Sequence, residues 1–255
     1  MLIDTHAHLY LDAFDQDIDD VIQRSKDNNV QMIFLPNIDS STTDAMNGLS
    51  RAYPDVCFPM IGLHPCSVKE NLQEELDHIL EELDNQKYYG IGETGIDLYW
   101  DLTFKKEQVE AFEFQIDLAK KHNLPVIIHS RDSLNLTIET IEKHQGPDLK
   151  GIFHCFNGNI EQAKRIQDVG FMMGLGGVIT FKNAKMDDVL QYIDEDHIVL
   201  ETDSPYLSPV PFRGKRNESS YIPYVVEKLV QVKSISKEEV EEFTTKNAKR
   251  VFGMS

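Results

Sequence analysis

Several features that mark other classes of protein are scarce in this sequence. Its 255 residues include only three cysteines, Cys57, Cys66 and Cys155, and no Cys-x-x-Cys pair. So sparse and odd a set excludes a disulfide framework and is typical of reduced thiols in a cytoplasmic protein. The sequence has no apolar run long enough to cross a bilayer, and its N-terminus has neither the basic nor the apolar region of a signal peptide. We therefore expect a cytoplasmic location and no membrane contact.

Basic residues are scarce relative to acidic ones. There are 25 lysines and arginines against 43 aspartates and glutamates, which gives a formal net charge of −18. Because wrapping of duplex nucleic acid needs a basic face, this balance disfavours that mode of binding. It still permits a local cationic pocket in an otherwise acidic body. Nothing in the composition indicates an obligate protein partner.

Apolar, strand-like runs alternate with helix-like segments along the whole chain. The expected strands cover residues 2–5, 31–35, 56–61, 88–91, 125–128, 150–153, 171–175 and 198–200. Such alternation predicts parallel pairing in a layered α/β fold. Eight units in about 250 residues favour a closed (β/α)8 TIM barrel, with an open doubly wound sheet as the alternative. We predict a single domain over residues 1–255.

The first expected strand runs into Asp-Thr-His-Ala-His at residues 4–8. Because side chains alternate along a strand, His6 and His8 face the same way and can point at one metal ion. Two surface histidines near a terminus explain this pair equally well on its own. A metal site therefore requires further ligands from elsewhere in the chain.

Other residues of metal-ligand type fall at or just after the ends of expected strands. They are His64, Glu93, His129, His154 and Asp203. Taken singly, each has a structural explanation, such as a helix cap, a turn residue or a buried imidazole. Since barrel active sites form at the carboxyl ends of the strands, all of these residues except His64 are expected to join the first two histidines at one mouth. This mixture of imidazoles and carboxylates suits zinc, manganese, nickel or iron, or magnesium where carboxylate and water dominate.

A proline-rich stretch with three cationic residues follows the last expected strand. Residues 205–216 include Arg213 and Arg216, and Arg131 stands two residues after His129. Arginine suits phosphate because its guanidinium is a planar fork of donors, and barrels often bind phosphate through the loops after their last two strands. A solvated loop with incidental charge is the alternative. Beside a metal site, an anionic substrate is the better interpretation.

Two neighbouring aromatic residues lie between the fourth strand and its helix. They are Tyr99 and Trp100, and Trp100 is the only tryptophan in the chain. Aromatic side chains of this kind stack on the bases of single-stranded nucleic acids. Packing against the protein explains them equally well at the level of sequence.

Taken together, these motifs resemble the TatD family of metal-dependent deoxyribonucleases. The matching stretches are Asp-Thr-His-Ala-His at 4–8, Gly-Leu-His-Pro at 62–65, Gly-Glu-Thr-Gly-Ile-Asp at 92–97, His-Ser-Arg-Asp at 129–132, His-Cys-Phe at 154–156 and Glu-Thr-Asp-Ser-Pro-Tyr-Leu at 201–207. The resemblance covers nearly the whole chain. It implies a TIM barrel of the amidohydrolase superfamily that hydrolyses phosphodiester bonds with two divalent metal cations. It also implies an exonuclease that acts on single-stranded DNA or frayed 3′ ends, with RNA as a substrate of some members.

The resemblance further implies a role for each of the candidate residues. One divalent cation, Mg²⁺, Mn²⁺ or Zn²⁺, would be held by His6, His8, Glu93 and Asp203. The second would be held by Glu93, His129 and His154, so that Glu93 bridges the two. We expect Asp203 also to accept the proton of the attacking water as general base. The expected substrate contacts are His64, Arg131, Arg213 and Arg216, although His64 could equally cap its own loop.

Two other functions stay open at this point. A hydrolase of a cyclic amide or a lactone would use the same metals, and a carboxylate-bearing substrate could also use the cationic loop. A non-enzymatic metal-binding scaffold is the second alternative. Such a scaffold should lack at least one ligand, and none is missing here.

Overall fold

The computed structural model describes residues 1–254, and within them eight strands alternate with helices. The strands are β1 (Leu2–Asp4), β2 (Val30–Pro36), β3 (Cys57–Met60), β4 (Ile91–Asp97), β5 (Val126–Arg131), β6 (Gly151–Phe153), β7 (Met172–Leu175) and β8 (Ile198–Leu200). The α-helices are α1 (Ile18–Asp27), α2 (Ser40–Ala52), α3 (Leu72–Asn85), α4 (Lys105–His122), α5 (Leu134–His144), α6 (Ile160–Asp168), α7 (Asp187–Tyr192), α8 (Ile222–Lys233) and α9 (Lys237–Phe252). No helix within this range has both the length and the apolar character that a membrane span needs.

All strand pairs are parallel and follow chain order. Strands β1 to β3 form one sheet and β4 to β8 a second. Backbone hydrogen bonds join the two sheets at both edges: the Gly92 amide donates to the Ile61 carbonyl at 2.8 Å, and the Thr5 amide donates to the Leu200 carbonyl at 3.0 Å. The predicted α/β fold of TIM-barrel type is therefore confirmed.

The interior of the barrel is filled by apolar side chains from the strands. Residues such as Ile3, Phe34, Ile127 and Val199 form one buried cluster. At the amino-terminal end of the strands, Phe252 from the last turn of α9 stacks on Phe34, with ring centroids 3.5 Å apart. This plug leaves the carboxyl ends of the strands as the open face. A second, larger cluster lies between the strands and the surrounding helices.

Two central strands end later than the sequence predicted. The fourth strand was expected at 88–91, but β4 covers Ile91–Asp97 and shares only Ile91 with that prediction. The fifth strand was expected at 125–128, and β5 runs on to Arg131. The glycines of the 92–97 stretch suggest a turn, but they serve close strand packing instead. Gly95 has φ +141°, and a Cβ there would lie 2.1 Å from the His129 carbonyl oxygen. Glu93 and His129 consequently sit within strands, where the backbone fixes their direction.

Candidate metal centre

The ligand residues expected from the sequence lie together at the carboxyl ends of the strands. Their donor atoms form three overlapping groups: His6, His8 and Asp203; His6, Glu93 and His154; and His64, Glu93 and His129. The atoms within each group lie within 4.8 Å of one another. Above them opens a cavity of about 560 Å³. The barrel thus brings together side chains that are separated by almost 200 residues of chain.

Glu93 is the centre of this cluster, and its two oxygens face different histidines. Oε2 lies 3.1 Å from His6 Nε2 and 3.4 Å from His8 Nε2. Oε1 lies 2.8 Å from His129 Nδ1 and 3.1 Å from His154 Nε2. One carboxylate therefore serves two sets of imidazoles, which is the arrangement that a ligand bridging two cations requires.

Asp203 completes the set around the first pair of histidines. Its Oδ1 lies 3.7 Å from His6 Nε2 and 3.6 Å from His8 Nε2. The residue follows β8 in a left-handed backbone conformation, φ +57°. Its amide donates to the His6 carbonyl at 2.9 Å, so the loop after β8 is fixed against the end of β1.

The second ring nitrogen of each inner histidine determines where its lone pair points. His129 Nε2 lies 3.0 Å from Asp97 Oδ2 and donates to it, and Nδ1 lies 2.8 Å from Glu93 Oε1. Burial opposes protonation of His129, but these two carboxylates outweigh it and raise its pKa, so Nδ1 becomes a ligand nitrogen when a cation takes the place of its proton. His8 Nδ1 lies 2.9 Å from the Tyr10 hydroxyl, which itself donates to the Pro36 carbonyl at 2.6 Å. That hydroxyl therefore accepts from His8 Nδ1, and Nε2 carries the lone pair. Such outer partners orient metal-ligating histidines in general.

His154 has a buried carboxylate near the outer side of its ring. Its Nδ1 lies 3.4 Å from Oε1 of the buried Glu201. A Cβ on Gly174 would lie only 2.0 Å from Glu201 Oε2, so glycine at this position makes room for the carboxylate. His154 Nδ1 and His6 Nδ1 are nevertheless both buried without a hydrogen-bond partner.

His64 is oriented oppositely to His8 and His129, because the outer nitrogen of its ring accepts a hydrogen bond. Its Nδ1 accepts the backbone N–H of Cys66 at 3.1 Å. The proton of the neutral ring therefore sits on Nε2, which lies 3.4 Å from Glu93 Oε1. With no lone pair on that nitrogen, His64 is a hydrogen-bond donor that faces Glu93 Oε1 and His129 Nδ1, the latter at 3.3 Å. Although it lies among the ligands, its chemistry is that of a donor.

The buried groups of this cluster have pKa values that differ from their usual values. Burial opposes ionisation of Glu93, but His154, His64 and His6 outweigh it and hold the pKa of Glu93 well below its usual value. Burial raises the pKa of Asp203 to about 6, against the opposing effect of His154 and His8. Burial lowers the pKa of His6, and the neighbouring His154 adds to that effect. Burial opposes protonation of His154, but Glu93 and Glu201 outweigh it and raise its pKa. Clustered carboxylates and imidazoles match the donor set of divalent cations, so these residues fit the metals that the sequence implied.

The four expected substrate contacts divide into two pairs. His64 and Arg131 line the cavity above the cluster. Arg213 is exposed and lies over the Phe181 ring, 4.0 Å from its centroid. Arg216 donates through Nη1 and Nη2 to the two carboxylate oxygens of Asp17, both at 2.7 Å. In this structure, Arg216 is paired with α1 and does not line the cavity.

Three residues of the site were not identified from the sequence. Asp97, Tyr10 and Glu201 each lie behind the imidazole of one candidate ligand. Signals for all three were present: Asp97 ends the 92–97 stretch, Tyr10 continues the alternation after His8, and Glu201 opens the 201–207 stretch. Their contacts depend on neighbouring strands, and for that reason their roles became apparent only from the fold.

Comparison with known proteins gives concordant results. The family described as TatD related DNase matches residues 3–253. YabD of Bacillus subtilis, described as an uncharacterized metal-dependent hydrolase, is 42% identical over 254 residues, which cover 99% of each chain. YcfH of Escherichia coli K12 has the same description and is 31% identical, over 98% of this chain and 95% of its own. The crystal structure of YJJV, a TatD homolog from E. coli K12, superposes with a TM-score of 0.94 at 27% identity and covers 100% of this chain and 98% of that one.

Proposed function

This chain belongs to the TatD related DNase family of metal-dependent hydrolases, and we propose that it removes nucleotides from the 3′ end of single-stranded DNA, using two divalent cations. RNA offers the same phosphodiester chemistry and is included in the proposal. The observation that supports a two-metal site is the position of Glu93, whose oxygens lie against two separate sets of imidazoles. The 3′ direction rests on the family resemblance alone.

The proposed ligands follow from these contacts. His6, His8, Glu93 and Asp203 would hold the first cation, and Glu93, His129 and His154 the second. When bound, the cations supply a nucleophile at neutral pH and neutralise charge on the phosphoryl oxygens. Magnesium, manganese and zinc are the metals proposed: zinc suits the imidazoles, manganese suits a mixed set, and magnesium suits the site where carboxylate and water dominate.

The protein's own groups would position the substrate and move protons. Asp203 faces the cavity with 17% of its side chain exposed, so its carboxylate is placed to accept the proton of the attacking water. His64 lines the cavity, and its Nε2–H would donate to a phosphoryl oxygen. Arg131 lies at the rim of the same cavity and offers a planar pair of donors to a phosphate.

Cleavage of matched DNA substrates tests the proposal. Protein reconstituted with Mg²⁺, Mn²⁺ or Zn²⁺ is incubated with linear single-stranded DNA, with the same strand blocked at its 3′ or 5′ end, and with a circular single strand. We expect digestion of the linear and 5′-blocked strands, and resistance of the 3′-blocked strand and the circle. Rapid cutting of the circle would contradict end-directed cleavage. Hydrolysis of a lactone or cyclic amide, with every DNA left intact, would overturn the proposed reaction.

Metal analysis tests the two-cation site separately. Protein stripped with chelator and titrated with Mn²⁺ should bind close to two ions per chain. Glu93→Gln should lose affinity at both sites, since the substitution weakens both carboxylate oxygens as ligands. The control is Glu113→Gln on the outer part of α4. A firm limit of one ion per wild-type chain would contradict the binuclear site.

A further inference from the structure

Two aromatic residues stand exposed at the rim of the candidate metal centre. The side chain of Tyr99 is 53% exposed and that of Trp100 is 68% exposed. The Arg131 guanidinium lies over both, 3.8 Å from the Tyr99 ring centroid and 5.2 Å from that of Trp100. The Tyr99 and Trp100 rings meet edge to face, with centroids 4.8 Å apart and ring planes at 89°. Together with Arg131 they form an aromatic and cationic surface, which we call the rim platform. Neither aromatic residue is used by the proposed chemistry.

The rim platform is fixed to the candidate metal centre by a single carboxylate. Asp97 Oδ1 accepts the backbone N–H groups of Tyr99 at 2.9 Å and Trp100 at 3.2 Å. Asp97 Oδ2 accepts from His129 Nε2 at 3.0 Å. The loop that carries the aromatic residues is therefore held in a defined position relative to a proposed metal ligand. A loop that only covered hydrophobic core would not leave its tryptophan largely in solvent.

The opposite wall of the cavity is also aromatic. Tyr206 is 53% exposed, and its ring centroid lies 6.4 Å from that of His8. Trp100 and Tyr206 both line the cavity of about 560 Å³. This volume lies within the roughly 300–1,000 Å³ that small-ligand pockets occupy. Aromatic side chains thus line the mouth of the cavity, and charged residues lie below them. This arrangement suits a base attached to a phosphate.

We propose that the rim platform stacks an unpaired nucleobase of the substrate strand, next to the phosphodiester bond that is cleaved; this inference rests on the proposed function. Every base has a π-face, so stacking tolerates any sequence. In a duplex both faces of an internal base are covered by its neighbours, and only an unpaired base offers a free face. The rim platform would therefore select single strands and frayed ends, while Arg131 reaches the neighbouring phosphate.

The single tryptophan allows stacking to be measured directly. Because Trp100 is the only tryptophan in the chain, intrinsic tryptophan fluorescence reports on the rim platform alone. The Mg²⁺-loaded protein is titrated with a phosphorothioate oligothymidylate, whose modified linkages slow hydrolysis. The control is an abasic oligomer of equal length and charge. We expect saturable quenching by the oligothymidylate and much weaker quenching by the abasic oligomer. Equal quenching by both, or none by either, would overturn the proposal.

A substitution series then separates stacking from surface exposure. Trp100→Leu removes the ring, and binding of the oligothymidylate, followed by anisotropy of a labelled strand, should weaken by about 5- to 100-fold. Trp100→Phe should restore most of the binding, and neither variant should change binding of the abasic oligomer. Tyr192→Leu removes another partly exposed aromatic residue, on α7, and serves as the matched control. An equal loss in the Leu and Phe variants would contradict stacking.

The failure of this inference differs from the failure of the proposed function. If the protein cleaves DNA but does not distinguish abasic from ordinary strands in binding, the rim platform is not a base site and the reaction stands. If base-dependent quenching occurs while no DNA or RNA is cleaved, the rim platform stands and the reaction is wrong.

Discussion

At the level of single residues, the hydrogen bond made by the outer nitrogen of each imidazole determines whether the inner nitrogen acts as a ligand or as a hydrogen-bond donor. His8 and His129 donate outward to Tyr10 and Asp97, so the inward nitrogen of each ring is the one available to a cation. His64 accepts outward from a backbone N–H and so presents a hydrogen inward. Histidines that lie a few ångströms apart therefore have different chemical roles. The difference arises from a single hydrogen bond on the far side of each ring.

Substitution of Asp203 tests the proposed proton acceptor. Asparagine keeps the shape of the side chain but cannot accept the proton, so Asp203→Asn should lower kcat by about 10²- to 10⁴-fold. Metal content should be retained in part, since the other ligands are unchanged. The measurement is steady-state cleavage of single-stranded DNA together with metal analysis of the same sample.

The matched control for this variant is Asp188→Asn, at an exposed position in the first turn of α7. It changes the charge equally without touching the cavity, and its kcat should equal that of wild type. Near-wild-type turnover of Asp203→Asn at full metal occupancy would remove Asp203 from the proton-transfer step.

At the level of elements, the cationic stretch after β8 is tied to α1. Arg216 pairs with Asp17 through two hydrogen bonds and also donates to the Ala13 carbonyl at 2.6 Å. Arg24 joins the same group, since it bonds both Asp17 and the buried Glu218. Bidentate pairs and networks of this kind stabilise more than isolated surface pairs. This contact explains how an arginine beside the active-site loop serves to hold the loop in place.

Removal of the Asp17 charge distinguishes two roles for Arg216. If Arg216 holds residues 205–216 against α1, Asp17→Asn should raise KM several-fold, because the loop loses its anchor. If Arg216 instead binds phosphate and Asp17 merely competes for it, the same variant should lower KM. We expect the rise, measured on single-stranded DNA. Asp20→Asn, an exposed position in the same turn of α1, controls for the change of charge near the helix N-terminus.

The pH dependence of stability provides a second measure of the Asp17 pair. Hydrogen bonds from Arg216 lower the pKa of Asp17 from 3.8 to about 2. Because the folded pKa lies below the ordinary value, the stabilisation is present above about pH 4 and is lost as the pH falls through about 2. The difference in free energy of unfolding between wild type and Asp17→Asn should be clear at about pH 6 and shrink below about pH 4. A difference that stayed constant down to about pH 2 would contradict this coupling.

At the level of the whole molecule, charge restricts where nucleic acid is attracted. With a formal net charge of −18, most of the surface repels a phosphate backbone, and attraction is limited to the few cations near the cavity. The slope of log affinity against log salt is about −0.7 for each phosphate neutralised on a single strand. We therefore expect a shallow overall slope, between about −1 and −2, for binding of single-stranded DNA.

Two variants test whether residues at the cavity rim produce this salt dependence. Arg131→Ala should reduce its magnitude by about 0.7, the contribution of one phosphate. Lys106→Ala, an exposed lysine on α4 that pairs with Glu110, should leave it unchanged. A steep slope that neither substitution altered would indicate an extended binding surface elsewhere on the protein.

Local patterns in the sequence determined the order of strands and helices and the identity of the ligand-type residues. Alternation along β1 was enough to place His6 and His8 on one side, because the period of a strand does not depend on its neighbours. The parallel fold followed from the repeated strand–helix order, which leaves few other topologies. The predicted extents of β4 and β5 were wrong because they depend on neighbouring strands. In the sequence Gly92 and Gly95 look like turn residues, and only the structure shows that a neighbouring strand packs against them.

Only the tertiary structure decided which partner each side chain has. The separation of Glu93 Oε1 and Oε2 between two sets of histidines, the pairing of Arg216 with Asp17, and the tautomer of His64 all depend on residues that are distant in sequence or on backbone geometry. Arg213 and Arg216 look equivalent in the sequence, yet one lies over Phe181 and the other is bound to α1. Residue type sets which contacts a side chain can make, but the position of the neighbouring elements selects the contact that forms.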